Sequence, residues 1–179
     1  MSAEDNLMAV QHKCFISYDA ADMQAVGGFL DEFNDVFIPK AIGVSDADDF
    51  INSDNREYVM RGIREKYLSD STVTIVLIGR CTKARKYVDW EIASSLRNDP
   101  LNGRSGLLGI NLRSMGESGA APDRLRDNLE SDDSGYARYY VYPNSPSMLR
   151  TWIQEAFEQR STQAPNNSRD LFKNNRQCY

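Results

Sequence analysis

Histidine is nearly absent from this chain: His12 is the single one in 179 residues. A Ser-His-Asp or Cys-His mechanism would have to use it, and one imidazole cannot build a histidine-based metal centre. Its position just before the first apolar run suits a residue flanking a strand. Cysteine is also scarce. Cys14, Cys81 and Cys178 lie far apart, and no C-x-x-C occurs. Neither a disulfide framework nor a zinc site is expected from that spacing, and no metal ligand is assigned. The pattern suits a reducing cytoplasm. Positive charge is in deficit, with 21 Lys and Arg against 26 Asp and Glu, a net charge of −5 and a pI near 5.0. That balance argues against a nucleic-acid partner, although Arg80, Lys83, Arg85 and Lys86 make a local basic cluster. No apolar run approaches the roughly 20 residues of a membrane span, and no basic-then-apolar signal opens the chain. A cytoplasmic protein without membrane contact is expected. The phosphate-binding patterns G-x-x-x-x-G-K-[ST] and G-x-G-x-x-G are missing too, which excludes a P-loop enzyme and a standard dinucleotide-binding dehydrogenase.

What remains is an alternation of strand and helix patterns. His12 to Tyr18 reads as a strand, followed by a helix with Val26, Phe29, Leu30 and Phe33 at helical spacing. Asp35 to Val44 reads as a poorer strand, placed at an edge by Pro39. A loop rich in Asp, Ser and Asn follows, with Ser53 as a candidate N-cap for a helix carrying Val59, Ile63 and Tyr67. Ser71 to Gly79 is β-branched and almost unbroken, the mark of a strand buried on both faces. Further patterns give a helix with Val88, Ile92 and Leu96 on its core face, a buried strand at 105–112, a long polar connection at 113–135, a strand at 136–142 and a helix begun by Ser145-Pro146. The order predicts one doubly wound α/β domain with a mostly parallel sheet of five strands and helices on both faces. The expected organisation is a leader at 1–11, the domain at 12–160 and a flexible polar tail at 161–179.

Ligands of such sheets bind outside the carboxyl ends of the strands. That edge gathers Ser17, Tyr18 and Asp19 after the first strand. Asp46, Asp48, Asp49 and Ser53 follow the second, and Asn111 and Arg113 follow the fourth. Over the middle strand comes the stretch TKARKYVDWEIASSL, Thr82 to Leu96. At about 100° per residue, Glu91 falls roughly 100° from the centre of the core face, in what reads as the opening turn beside the crevice. Trp90 points further round, free to cover a ligand or to pack on a loop. Two readings of Glu91 stay open at this point. It complements the helix dipole, as first-turn acids do, or it carries chemistry.

The segments CFISYDAAD, STVTIVLIGRCTKARKYVDWEI and GLLGINL resemble the TIR-like domains of bacteria, and among these the ThsB proteins of the Thoeris antiphage defence type. The resemblance spans about residues 12–158, and its most specific part is the mid-chain strand ending in Ile-Gly before Val-x-Trp-Glu-Ile. It implies a flavodoxin-like fold. It also implies action on NAD as substrate, with no bound cofactor. Such enzymes cleave the bond between nicotinamide and ribose. Thoeris-type members make a cyclic or otherwise modified ADP-ribose that signals to a separate effector, with activity that can wait for an infection trigger. The resemblance places the catalytic glutamate on Glu91. It places nucleotide contacts on Phe15, Ser17, Tyr18 and Asp19, on Asp49 and Ser53, and on Trp90 and Asn111. It leaves room for a homo-oligomer. The chemistry is coherent without histidine: nicotinamide departs as a neutral molecule from a cationic substrate, so no general acid is required, and a carboxylate stabilises the oxocarbenium character left on the ribose. A rival reading is a non-enzymatic TIR-type interaction module. The second loop, however, lacks the Arg-Asp-x-x-Pro-Gly turn of animal-receptor TIR domains. A receiver-like protein is disfavoured, because no acidic pair ends the first strand and no Lys closes the fourth.

Overall fold

The computed structural model describes residues 10–41, 54–98 and 103–178. Five strands, β1 (Lys13–Ser17), β2 (Ile38–Ala41), β3 (Val73–Ile78), β4 (Gly106–Asn111) and β5 (Ala137–Tyr140), form one sheet in the order β2-β1-β3-β4-β5. Every neighbouring pair is parallel. The helices are α1 (Met23–Glu32), α2 (Arg56–Ile63), α3 (Lys86–Ser95), α4 (Asp123–Arg126) and α5 (Pro146–Gln159). The expected α/β architecture is thus observed, wholly rather than mostly parallel, with Pro39 in the edge strand as its missing N–H requires. This is a flavodoxin-like arrangement.

The period-2 alternation of strands divides the core in two. On one face Cys14, Ile16, Ile75, Leu77, Leu108 and Ile110 pack with residues of α1 and α5. On the other, Val76, Ile78 and Leu107 meet Val88, Ile92 and Leu125 of α3 and α4, while Phe15 joins Val59, Met60, Ile63 and Trp90. Ser145 caps α5 by accepting from the Met148 N–H at 3.2 Å, with Pro146 in its first turn, as the sequence pattern indicates. The cap of α2 is Asn55, which accepts from the Tyr58 N–H at 3.2 Å; Ser53 lies outside the described residues.

Two expectations are corrected here. The segment 161–179 was expected as a flexible tail, but its residues 166–178 lie along α3 and α4. Phe172 is buried, and its carbonyl accepts from the Trp90 indole at 2.9 Å. Its N–H donates to Asp89 at 2.9 Å, and the Arg176 N–H donates to the Ala84 carbonyl at 2.8 Å. Asn128 accepts from the Asn166 N–H at 2.7 Å. Nor are the cysteines all free: Cys81 and Cys178 are joined as a disulfide across 97 positions, leaving Cys14 buried and unpaired. Spacing along a chain says nothing about closeness when a terminal segment folds back, and the C-terminal segment does so.

The anchor of this segment is ionic. Arg124, 1 % exposed, donates from Nε to Asp89 at 2.8 Å and also reaches the Asp170 carbonyl and Asn167. Breaking such a pair strands the remaining charge in a dry site. Arg124→Met is therefore expected to cost about 3–5 kcal/mol in urea unfolding; a change below about 1 kcal/mol, the scale of exposed pairs, would contradict this role.

Candidate active site

Alternation along β1 sets the site. Cys14 and Ile16 face α1, so Phe15 and Ser17 face α2 and α3. At the carboxyl end of β1, Ser17 is fully buried and its hydroxyl donates to Glu91 Oε2. Glu91 reaches across because α3, after leaving β3, packs back over β1, which covers the flank of the helix that the period places beside its core face.

Glu91 does not lie in the opening turn, as the sequence suggested. It is the sixth residue of α3, beyond the free N–H groups of the first turn. The helix dipole falls off within that turn, so burial decides the charge. Glu91 is 8 % exposed, and among the described residues its side-chain hydrogen-bond partner is the Ser17 hydroxyl. Desolvation pushes its carboxyl from the ordinary 4.5 up to about 8, and the hydrogen bond from Ser17 opposes this only in part. The expectation of a dipole-stabilised, ionised Glu91 is replaced by a carboxyl that burial holds neutral at neutral pH. Tyr18, half-buried beside it, has its phenol shifted upward by burial and then by the Glu91 charge.

Around this pair the loop after β1 folds onto the loop after β3. Asp19 starts a 3₁₀ turn at Ala20–Asp22, accepting from the Ala21 N–H at 3.3 Å, and its other oxygen accepts from Arg85 Nε at 2.9 Å. Gly79 ends β3, and its N–H donates to the buried Thr82 hydroxyl at 2.8 Å. A Cβ at Gly79 would stand 2.0 Å from Asp22 Oδ2, so glycine is what admits that carboxylate. Asp22 Oδ2 is itself buried without a hydrogen-bond partner. Burial and the neighbouring Asp19 raise the Asp22 pKa, against the opposing effect of Arg85. Arg85 was read from sequence only as part of a basic cluster. Nothing local could have paired residues 66 positions apart such as Asp19 and Arg85.

The other expected residues separate from this group. Phe15 is fully buried in the cluster with Val59, Met60 and Ile63, and Trp90 is 2 % exposed in the same cluster, its indole N–H taken by Phe172. Both have packing roles here. Asn111 is buried at the end of β4, where its amide donates to the Gly116 carbonyl at 2.9 Å and accepts from the Tyr139 hydroxyl at 2.6 Å, tying down the connection at 113–119. Asp49 and Ser53 lie outside the described residues, as do Asp46 and Asp48. Among the described residues no three His, Cys, Asp or Glu side chains gather as a metal site, and no helix is long and apolar enough to cross a membrane.

The all-parallel five-stranded sheet with its covering helices is that of a TIR-like α/β domain. The model of the Thoeris protein ThsB, TIR-like domain, matches residues 15–116, and the chain belongs to that family. Its role is therefore TIR-type antiphage defence. No curated protein matches the chain.

The raised pKa has a consequence for stability. A neutral acid is preferred by the folded state, so Glu91 contributes stability that is fully present below pH 4.5 and is lost as the pH rises through about 8. Glu91→Gln keeps the shape and removes the charge. Its melting temperature is expected to match wild type near pH 4 and to exceed it increasingly toward pH 8 and above, by roughly 5–10 °C. A constant difference across that range, read by differential scanning fluorimetry, would show that Glu91 titrates normally.

Proposed function

We propose that this protein is a cytoplasmic NAD-processing enzyme that cleaves the nicotinamide–ribose bond and makes a cyclic or otherwise modified ADP-ribose, a signal for a separate antiphage effector. The observation that carries the reading is the Glu91 carboxyl, buried at the carboxyl edge of the sheet with a hydroxyl and no cation as its partner. Asp89, two positions earlier on the same helix, has by contrast the Arg124 guanidinium. A desolvated acid without a counter-charge is matched to a ligand that brings one.

The nicotinamide ring of NAD carries that positive charge. Its approach favours loss of the Glu91 proton to solvent, after which the carboxylate faces the ribose. The C–N bond breaks with its electron pair going to nicotinamide, which leaves neutral, and the charge passes to the ribose as an oxocarbenium ion beside the carboxylate. Water attack gives ADP-ribose; attack by an oxygen of the same molecule gives a cyclic product. In either route the attacking O–H releases one proton, which Glu91 accepts. Ser17 holds the carboxyl by donating to Oε2, and Tyr18 borders it. Family membership supports the reading from a second side.

Nicotinamide release from NAD, followed by chromatography in purified protein and in lysate of infected cells, tests this. Since the free enzyme must lose a proton from a group titrating at about 8, kcat/KM is expected to climb with pH up to that value and then level off. Glu91→Gln should lose at least about 100-fold. Full activity in that variant, or silence of the wild type in both settings, would favour a module that works by assembly alone.

A further inference from the structure

Among the described residues a concentrated basic hollow lies away from Glu91. A cavity of about 420 Å³ opens between the first turn of α2, the end of α3 and the C-terminal segment, with Arg56, Arg97, Arg124, Arg169 and Lys173 in its wall against one carboxylate, Asp170. The volume lies in the range of small-molecule sites, which run from roughly 300 to 1,000 Å³.

These cations differ in what they already do. Arg124 is spent on Asp89, and Arg169 is held by Asp127 through two hydrogen bonds of 2.7 Å, which raises its pKa. Both are therefore fixed in place. Arg97 has only a loose contact with Glu57, 3.6 Å away on a side chain that is 69 % exposed. Arg56 and Lys173 are exposed and have no hydrogen bond or ion pair among the described residues. A stability role would have placed acids opposite Arg56 and Lys173, as it did for Arg124 and Arg169. Instead three sparsely compensated cations from three separate parts of the chain surround one hollow, and nearby fixed guanidinium groups add to its field.

We propose that this cavity is a second binding site, for a small molecule bearing a diphosphate group. Planar guanidinium forks bind phosphate oxygens two at a time, and a lysine adds a point charge. The volume leaves room for more than one phosphoryl group, and Ala93 and Leu171 give the wall an apolar side for the rest of a ligand. Five of the nine lining residues, within 167–173, belong to the segment whose Phe172 holds Asp89 and Trp90 of α3. A ligand joining Arg56 and Arg97 to Lys173 therefore clamps this segment to the helices. Glu91 is not in the wall, so the site stands apart from the NAD reading.

Titration calorimetry with inorganic pyrophosphate and with ADP tests the proposal on three proteins: wild type, the double variant Arg56→Gln/Lys173→Gln, and Glu91→Gln. Both altered cations are exposed, so folding is kept, and circular dichroism verifies this. The expected result is saturable binding of at least one ligand to wild type, weakened at least tenfold in the double variant, unchanged in Glu91→Gln, and falling as NaCl rises. Tighter binding of ADP than of pyrophosphate would assign a nucleoside diphosphate, and equal binding the diphosphate group alone. No binding of either at millimolar concentration, equal affinity in the double variant, or loss in Glu91→Gln would each overturn it.

Discussion

A carboxyl group withdrawn from water and given a hydroxyl in place of a cation is the constraint on which this structure turns. Helix α3 carries two acids that show the contrast. Asp89 is buried with Arg124, a full counter-charge, and serves to hold chain segments together. Glu91, also buried, has Ser17 and is pushed up to about 8. Desolvating a carboxylate costs several kcal/mol unless it is paired, so the free protein keeps Glu91 protonated. In the proposed function that cost is recovered when a cationic substrate supplies the missing charge, so the same carboxyl is both a destabilising element of the free protein and the group proposed to face a sugar cation.

Keeping water away from Glu91 requires α3 to be covered on all sides. The sheet lies beneath it, α2 packs through Val59, Met60 and Ile63, and the C-terminal segment lies outside through Phe172. Residues 88–96 of this helix and its end are buried without exception. Arg124, Asn128 and the Cys81–Cys178 pair all fasten the same segment, and Cys81 belongs to the loop that follows β3 beside the site. Distant pieces of chain thus converge on the surroundings of one carboxyl.

Much of this was legible in the sequence, and what was not shares a cause. The β-branched runs of β3 and β4, the proline of β2 and the Ser145-Pro146 start of α5 are local signals, and each marks the element found. Ser17 and Glu91 could be placed at one edge because strand polarity and helix phase are also local. The fate of Asp89 and Phe15 was not legible, nor was the segment on which Trp90 packs. A helix read as amphipathic is assumed to have a wet side, and here that side is covered by residues more than 80 positions away. The only hints in the tail were Leu171 and Phe172, two apolar residues in a polar stretch. The position of Glu91 within α3 failed for a smaller reason. The helix begins at Lys86, directly after the extended Arg85, which is earlier than an opening turn holding Glu91 would require and leaves Glu91 a turn deeper than the crevice rim.

Membership of the Thoeris ThsB TIR-like family gives the defence role, and the geometry supplies a physical reason for one acid to be singled out within it. The most direct test is to titrate that acid. Carbon-13 NMR of Glu-labelled protein, with the Glu91 carboxyl signal assigned by its loss in Glu91→Gln, should show a midpoint near pH 8 for the free protein and a lower one with NAD bound. A midpoint near 4.5, the ordinary value, would mean that water reaches the carboxyl, and the account built on its burial would be wrong.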